Sequence, residues 1–171
     1  MKRSDYNMRL RKLEKKDAPL MLEWMHDKNV VAKLQTDFAK KTIGDCEKFI
    51  GESQQSRKNI HLAIVDDKDE YMGTVSLKNI ESEMAEFAIT VRRNAMGKGF
   101  SKFAMEKMIE FGINELRLKC IYWCVSPENV RAVRFYDKNG YNRIDINNIK
   151  NISPEYSKEQ IEFYIWYGVR A

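Results

Sequence analysis

The stretch from Glu86 to Ser101 constrains the fold more than any other part of the chain. Residues 86–91 alternate between polar and apolar side chains, which predicts a strand. A turn with two glycines follows at 96–99, and from Phe100 onward the apolar residues recur at helical spacing. This order directs unpaired backbone N–H groups at one point, where the helix dipole adds about half a positive charge. We therefore expect the turn to bind a phosphate.

The glycine turn fits some phosphate-binding motifs and not others. A P-loop needs Gly-x-x-x-x-Gly-Lys-Ser/Thr, which residues 97–102 do not provide. A dinucleotide-binding fingerprint needs a third glycine, but the next glycine is Gly112. Residues 96–101 instead resemble the pyrophosphate turn of the GNAT acetyltransferases, usually Gln/Arg-x-x-Gly-x-Gly/Ala. They match at both glycines and the lysine, and depart from the pattern at Met96 and Ser101.

A second stretch, residues 129–141, supports the same resemblance. It is similar to the GNAT pattern Asn-x-x-Ala/Ser-x-x-x-Tyr-x-x-x-Gly-Phe at each marked place, with Tyr141 as the final aromatic. The interval between the two motifs is also that of the family. The resemblance covers residues 84–141 strongly, and the amino-terminal half is similar to the ribosomal-protein, polyamine and amino-sugar branches more weakly.

The predicted elements follow the order β-α-α-β-β-β-α-β-α-β-β, which we expect to form one domain, residues 1–171. The resemblance implies an α/β (α+β) fold with a mixed, mostly antiparallel sheet of about six to seven strands, flanked by about four helices and splayed at the two central strands. The predicted strands are 8–13, 61–65, 71–77, 86–91, 118–125, 141–146 and 161–169. The predicted helices begin at Asp17, Thr42, Phe100 and Asn129, and the predicted irregular or turn segments are 30–41, 79–82 and 147–160.

Composition excludes several classes of protein. Hydrophobic residues make up 43% and charged residues 32%, which is typical of a globular domain. No apolar run approaches the roughly 20 residues of a membrane span. Residues 1–6 lack the apolar core of a signal peptide, so we expect a cytoplasmic protein.

The cysteines and histidines predict neither a disulfide nor a metal site. Cys120 and Cys124 share a predicted strand that places them about 13 Å apart, too far for a disulfide. Cys46 is distant in sequence, and we expect three reduced thiols. The two histidines are also far apart in sequence, so no metal is expected.

Acetyl-CoA is the cosubstrate that the resemblance implies, and the net charge of +5 suits such an anion. The backbone of Ile89, Thr90 and Val91 would pair with the pantetheine amides along an exposed strand edge. Asn129 would bind a pantetheine amide or cap its helix, and Arg134 and Lys138 would flank the phosphates or face solvent. The pyrophosphate would be bound by the turn residues Met96, Gly97, Lys98, Gly99, Phe100 and Ser101.

Two residues are candidates for proton transfer. Tyr136 matches the tyrosine of the second motif and stays protonated at neutral pH, so it suits a general acid for a departing thiolate, or else it packs on the sheet. Glu86 lies on the polar face of its strand, where it would accept the amine proton through a water, or pair with a lysine across the strand.

The amine acceptor is the least determined partner. Because the chain is basic, an amino sugar or its nucleotide is favoured over a polyamine, and a protein N-terminus stays open. Two other classes are also kept, a non-catalytic acyl-CoA sensor and an RNA-binding module, and a homodimer is one expected assembly. The candidate acceptor contacts are Trp24, Asp37, Phe38, Asn79, Trp123, Tyr164 and Trp166.

Overall fold

Within residues 8–34, 36–149, 152 and 155–171, which the computed structural model describes, seven strands form a single sheet. Their order is β1-β2-β3-β4-β5-β7-β6, and every neighbouring pair is antiparallel except the parallel pair β4 and β5. The strands are β1 (Arg9–Lys12), β2 (Ile60–Val65), β3 (Tyr71–Glu81), β4 (Met84–Val91), β5 (Cys120–Val125), β6 (Asn142–Arg143) and β7 (Ile165–Arg170).

Helices cover both faces of this sheet. Successive strand residues point to opposite faces, and in β2 Ile64 packs with α4 whereas Ala63 and Val65 pack with α1 and α3. A third apolar cluster joins β5 to the carboxyl-terminal segment through Tyr122 and Trp166. The helices are α1 (Ala18–Met25), α2 (Lys28–Val31), α3 (Ile43–Ser53), α4 (Phe100–Asn114), α5 (Val130–Lys138) and α6 (Lys158–Phe163).

Side-chain caps explain where most helices begin. Thr42 and Asp45 form a reciprocal capping box before α3, and Asn129 accepts the N–H of Ala132 before α5, so both predicted starts are confirmed. Asp17 precedes α1 as predicted, but its carboxylate does not cap that helix. Both of its oxygens instead accept 2.8 Å bonds from the Arg11 guanidinium.

Four segments differ from the sequence-based expectation. Residues 161–163, predicted to begin the last strand, are helical because Ser157 and Gln160 form a capping box before α6. The segment predicted as the turn 79–82 belongs largely to β3, and the chain reverses later, at Ser82 and Glu83, which both have positive φ. The predicted irregular connection starts inside α2, and β6 keeps only two of the predicted residues.

The two central strands separate after a short contact. β4 and β5 pair only at Met84–Cys120, Ala85–Ile121 and Glu86–Tyr122. Beyond Glu86, β4 continues to pair with β3 while β5 pairs with β7, so the sheet opens between them. The predicted mixed sheet with splayed central strands is therefore confirmed. No helix of the described chain has the length and apolar character to cross a membrane.

Candidate active site

The gap between the central strands opens into a cavity of about 560 Å³. One wall is the part of β4 beyond Glu86, and the opposite wall is the end of β5 and the start of α5. The glycine turn closes one side, and the carboxyl-terminal segment contributes Tyr156 and Tyr164. The backbone groups of β4 that face β5 have no strand partner here, so an extended ligand with amide groups can pair with them.

The glycine turn has the backbone conformation that requires glycine. Gly97 and Gly99 have φ values of 74° and 90°, in the left-handed region. The first helical bond of α4 runs from the Phe103 N–H to the Gly99 carbonyl at 3.1 Å. The N–H groups of residues 100–102 therefore have no helix carbonyl to donate to. Together with the helix dipole they provide a site for a phosphate.

Most of the predicted cosubstrate residues lie on this cavity. Phe100 is buried in the core, and Lys98 lies off the cavity wall with its ammonium bonded to Asn94. Arg134 and Lys138 are exposed on α5, away from the wall, whereas Arg131 and Lys102 lie on it at the first turns of α5 and α4. The predicted residues on the wall are Ile89, Thr90, Val91, Met96, Gly97, Gly99, Ser101 and Asn129.

Tyr136 reaches the same cavity from α5. Its ring packs against Trp123, Tyr141 and Tyr167, with centroid distances of 5.5, 6.5 and 5.0 Å. Burial raises the pKa of Tyr136 well above that of a free phenol. The hydroxyl is consequently protonated at neutral pH, as a general acid must be.

Glu86 lies where the two strands divide, and it is only 2% exposed. Its Oε1 accepts a hydrogen bond from the Tyr156 hydroxyl at 2.7 Å and lies 3.4 Å from the Lys78 ammonium. Lys78 is its cross-strand partner in β3, so the expected lysine pair is present. Its Oε2 is buried and has no hydrogen-bond partner among the described residues. Glu86 is a residue of the cavity wall, and one oxygen of its carboxylate has no partner among the described residues.

Trp123 is the second cavity residue whose polar atom lacks a partner in the described parts of the chain. Its indole Nε1 is buried without an acceptor, one position after the last β4–β5 pair. Its ring stacks on Tyr167 at 5.8 Å and packs against Phe87 at 5.5 Å. An unpaired donor and the Glu86 acceptor thus both line the opening between the strands.

The structure places the predicted acceptor contacts in different parts of the molecule. Trp24 lies in a second cavity of about 250 Å³ between α1, α3 and β4, where its Nε1 donates to the Tyr71 hydroxyl. Phe38 and residues 88–90 line both cavities, so the two spaces lie side by side. Trp123 and Tyr164 line the first cavity. Asp37 is exposed, Asn79 lies near the end of β3, and Trp166 packs in the third apolar cluster, and none of these three lines either cavity.

Several functional candidates were missed in the sequence, among them Lys102 and Glu155 on the cavity wall. Lys78 could have been found, because the predicted hairpin places it opposite Glu86. Arg131 and Arg134 lie on the same helix, and only the rotation of this helix about its axis places Arg131, and not Arg134, on the cavity wall. Tyr156 is 70 residues from Glu86 in a polar segment, and no local pattern indicates their contact.

Comparisons with known proteins agree with this geometry. The family described as "Acetyltransferase (GNAT) domain" matches residues 7–142. An uncharacterized N-acetyltransferase p20 of Bacillus licheniformis is 31% identical over 73% of each chain. A spermidine N(1)-acetyltransferase of Escherichia coli K12 is 28% identical over 81% of this chain and 74% of its own. The spermidine N-acetyltransferase of Vibrio cholerae, solved with CoA and spermine, superposes with a TM-score of 0.77 over 95% of both chains at 19% identity.

Proposed function

The chain belongs to the GNAT acetyltransferases and is an acetyl-CoA-dependent N-acetyltransferase, for which we propose a polyamine as the acceptor. The observation that carries the proposal is the buried carboxylate of Glu86, a residue of the cavity wall, one of whose oxygens has no partner among the described residues. A carboxylate can both attract an ammonium group and accept its proton. The spermidine enzymes among the relatives support the same acceptor.

The earlier preference for an amino sugar is not supported by these relatives. It depended on the net charge of +5, which acetyl-CoA also explains. The cavity wall has basic groups at the first turns of α4 and α5, from Lys102 and Arg131. It has carboxylates on β4 and the carboxyl-terminal segment, from Glu86 and Glu155. This distribution suits an anionic cosubstrate and a cationic acceptor in one cavity.

The residues present fit acetyl-CoA, which supplies an activated acetyl group as a thioester. The turn at Gly97 and Gly99 provides backbone donors for the pyrophosphate, with Lys102 and Arg131 available for phosphate charge. The unpaired edge of β4 at residues 89–91 provides partners for the pantetheine amides, and one of its N–H groups would bind the thioester carbonyl.

In this proposal two side chains move protons. Glu86 receives the proton that the amine loses as its nitrogen attacks the thioester carbon, directly or through a water. The Tyr136 hydroxyl gives a proton to the sulfur as the carbon–sulfur bond breaks. Both groups line the same cavity, and burial keeps the phenol in the protonated form that this role needs.

An acceptor panel tests the proposal. The full chain is incubated with acetyl-CoA and spermidine, spermine, glucosamine or a peptide with a free N-terminus, and CoA release is followed together with the mass of the product. We expect the polyamines to gain one acetyl group with the highest kcat/KM. Faster acetylation of glucosamine or the peptide would contradict the polyamine proposal. CoA binding without transfer to any amine would indicate an acyl-CoA sensor.

An RNA-binding role is tested by salt. Acetyl-CoA bound in a built cavity should raise the melting temperature even in high salt. RNA binding instead weakens steeply as the salt concentration rises, because the release of counterions into a more concentrated solution is less favourable. A stabilisation by RNA that exceeds the acetyl-CoA effect at high salt would contradict the enzyme assignment of this cavity.

Domain extent and assembly belong to the same proposal. We take residues 1–171 as one acetyltransferase domain, of which the family match covers 7–142. One structure of the Vibrio cholerae enzyme is dodecameric, which supports self-association of this chain, with a homodimer as the smallest assembly. Light scattering at several concentrations measures the mass, and a monomer throughout would contradict this part.

A further inference from the structure

The two carboxylate oxygens of Glu86 have different surroundings. Oε1 is bonded to the Tyr156 hydroxyl at 2.7 Å and has the Lys78 ammonium at 3.4 Å. Oε2 has neither, although it is equally shielded from bulk water. The carboxylate is therefore fixed through one oxygen, while the other has no partner among the described residues, in a side chain that belongs to the cavity wall.

Tyr156 is itself fixed by aromatic packing. Its ring contacts Trp166 at 5.4 Å and Tyr164 at 6.3 Å, both nearly edge-to-face. Burial raises the pKa of the Tyr156 phenol, and the neighbouring Cys124 and Glu86 raise it further. The phenol is thus a proton donor at neutral pH, and its hydrogen bond to an ionised carboxylate is of the stronger, charge-assisted kind.

We propose that Tyr156 is the positioning residue that orients Glu86 for the acceptor, an inference that rests on the proposed role of Glu86 as proton acceptor. Without the phenol, the described residues leave the carboxylate with Lys78 as its partner, and the carboxylate can rotate to present both oxygens to that ammonium. Oε2 would then no longer face the amine. Tyr156 touches neither of the reacting atoms and acts only through Glu86.

Tyr156→Phe in the full chain tests the inference, with the best acceptor from the panel, whichever amine that is. We expect kcat/KM for the amine to fall about tenfold or more, the usual cost of losing a bond to a charged group. The KM for acetyl-CoA should stay unchanged, which separates lost positioning of the acceptor site from damage to the cosubstrate site. Tyr167→Phe is the matched control, because Tyr167 donates to the Asp137 carboxylate at 2.9 Å away from the cavity wall. It should change neither quantity.

A double-mutant cycle separates positioning from a general structural effect. In a Glu86→Gln background, Tyr156→Phe should have almost no further effect on kcat/KM. An undiminished effect in that background would overturn the inference, as would a wild-type kcat/KM for the amine in Tyr156→Phe alone. If Glu86→Gln lowers activity and Tyr156→Phe does not, only the role of Tyr156 fails. Full activity of Glu86→Gln would overturn the proposed base and, with it, this inference.

Discussion

Glu86 and Tyr122 form the last paired position between the two parallel central strands, and one residue farther along β5 the cavity begins. The strand that carries the carboxylate thus changes at this point from one with two neighbours to one with a free edge. The proposed proton acceptor lies at the base of the opening, and the proposed cosubstrate contacts follow it along the same strand. This relation between pairing and chemistry leads to the following expectations.

The first prediction concerns the proposed general acid. Tyr136→Phe should lower kcat by about a hundred- to ten-thousand-fold, the range for losing a positioned proton donor. Binding of CoA, measured by calorimetry, should stay within about twofold because the glycine turn is untouched. Burial raises the pKa of Tyr136, so its ionisation should produce no basic limb below about pH 10. Unchanged turnover in the variant would remove the assignment.

The second prediction concerns the glycine turn. Gly97→Ala should lower the free energy of unfolding by about 1–2 kcal/mol, because a φ of 74° is costly for alanine. Acetyl-CoA binding should weaken as well, because the turn can relieve the strain by leaving the conformation that directs its N–H groups at the phosphate. The added methyl meets no atom within 4 Å, so the cost arises from backbone conformation alone. Gly51→Ala is the control: Gly51 lies in α3 with equally open space, and the variant should be neutral or more stable by up to about 1 kcal/mol. Equal behaviour of the two variants in calorimetry and thermal unfolding would contradict the proposed turn.

The third prediction distinguishes two arginines of one helix. Arg131 lies on the cavity wall and Arg134 does not. Arg131→Ala should raise the dissociation constant for acetyl-CoA about two- to fivefold, as expected for a partly exposed ion pair. The difference from wild type should shrink at high salt because the charges are screened. A larger effect for Arg134→Ala would show that the phosphates lie on another side of α5.

The fourth prediction is a pH dependence of stability. Burial, with a smaller contribution from Lys78, lowers the pKa of His61 from 6.5 to about 4. The unfolded chain therefore binds the His61 proton at higher pH than the folded chain, and stability is lost as pH falls from about 6.5 to 4. The loss from this group is at most about 3 kcal/mol. In urea unfolding, His61→Gln should flatten this part of the profile, whereas variants of the exposed His26 should follow wild type. If the pH profile of stability in His61→Gln keeps the slope of the wild type, a group other than His61 causes the loss of stability.

Local patterns predicted the elements that build the site. The alternation at 86–91, the two glycines and the helical spacing after Phe100 are properties of adjacent residues, and the structure has a strand, a turn and a helix there. Thr42 and Asn129 likewise cap their helices through neighbours three residues away. These features needed no knowledge of distant contacts.

Competing local signals explain the errors. Residues 161–163 have apolar spacing that suits a strand, but Ser157 and Gln160 cap a helix that includes them. Asp17 is a residue type that often caps helices, but its carboxylate bonds to the guanidinium of Arg11, a stronger partner than a backbone N–H of the helix. In both cases a specific side-chain hydrogen bond, which the hydrophobic pattern does not reveal, determines the local structure.

The remainder of the site depends on distant contacts. The bond between Tyr156 and Glu86 spans 70 residues, and it exists only because β7 returns the chain beside β5. The choice of Arg131 over Arg134 depends on how α5 is rotated about its axis. Neither relation leaves a trace in sequence spacing, which is why the sequence alone predicted the strand, turn and helix at 86–114 but not the contacts on the other side of the cavity.

The three-pair contact between β4 and β5 also has a mechanical consequence. It joins the four strands β1 to β4 to the three strands β5, β7 and β6, and it has half as many residue pairs as the six between β5 and β7. A ligand bound between β4 and β5 would contact both parts of the sheet across this short contact. Ligand binding would then also stabilise the domain against separation of the two central strands.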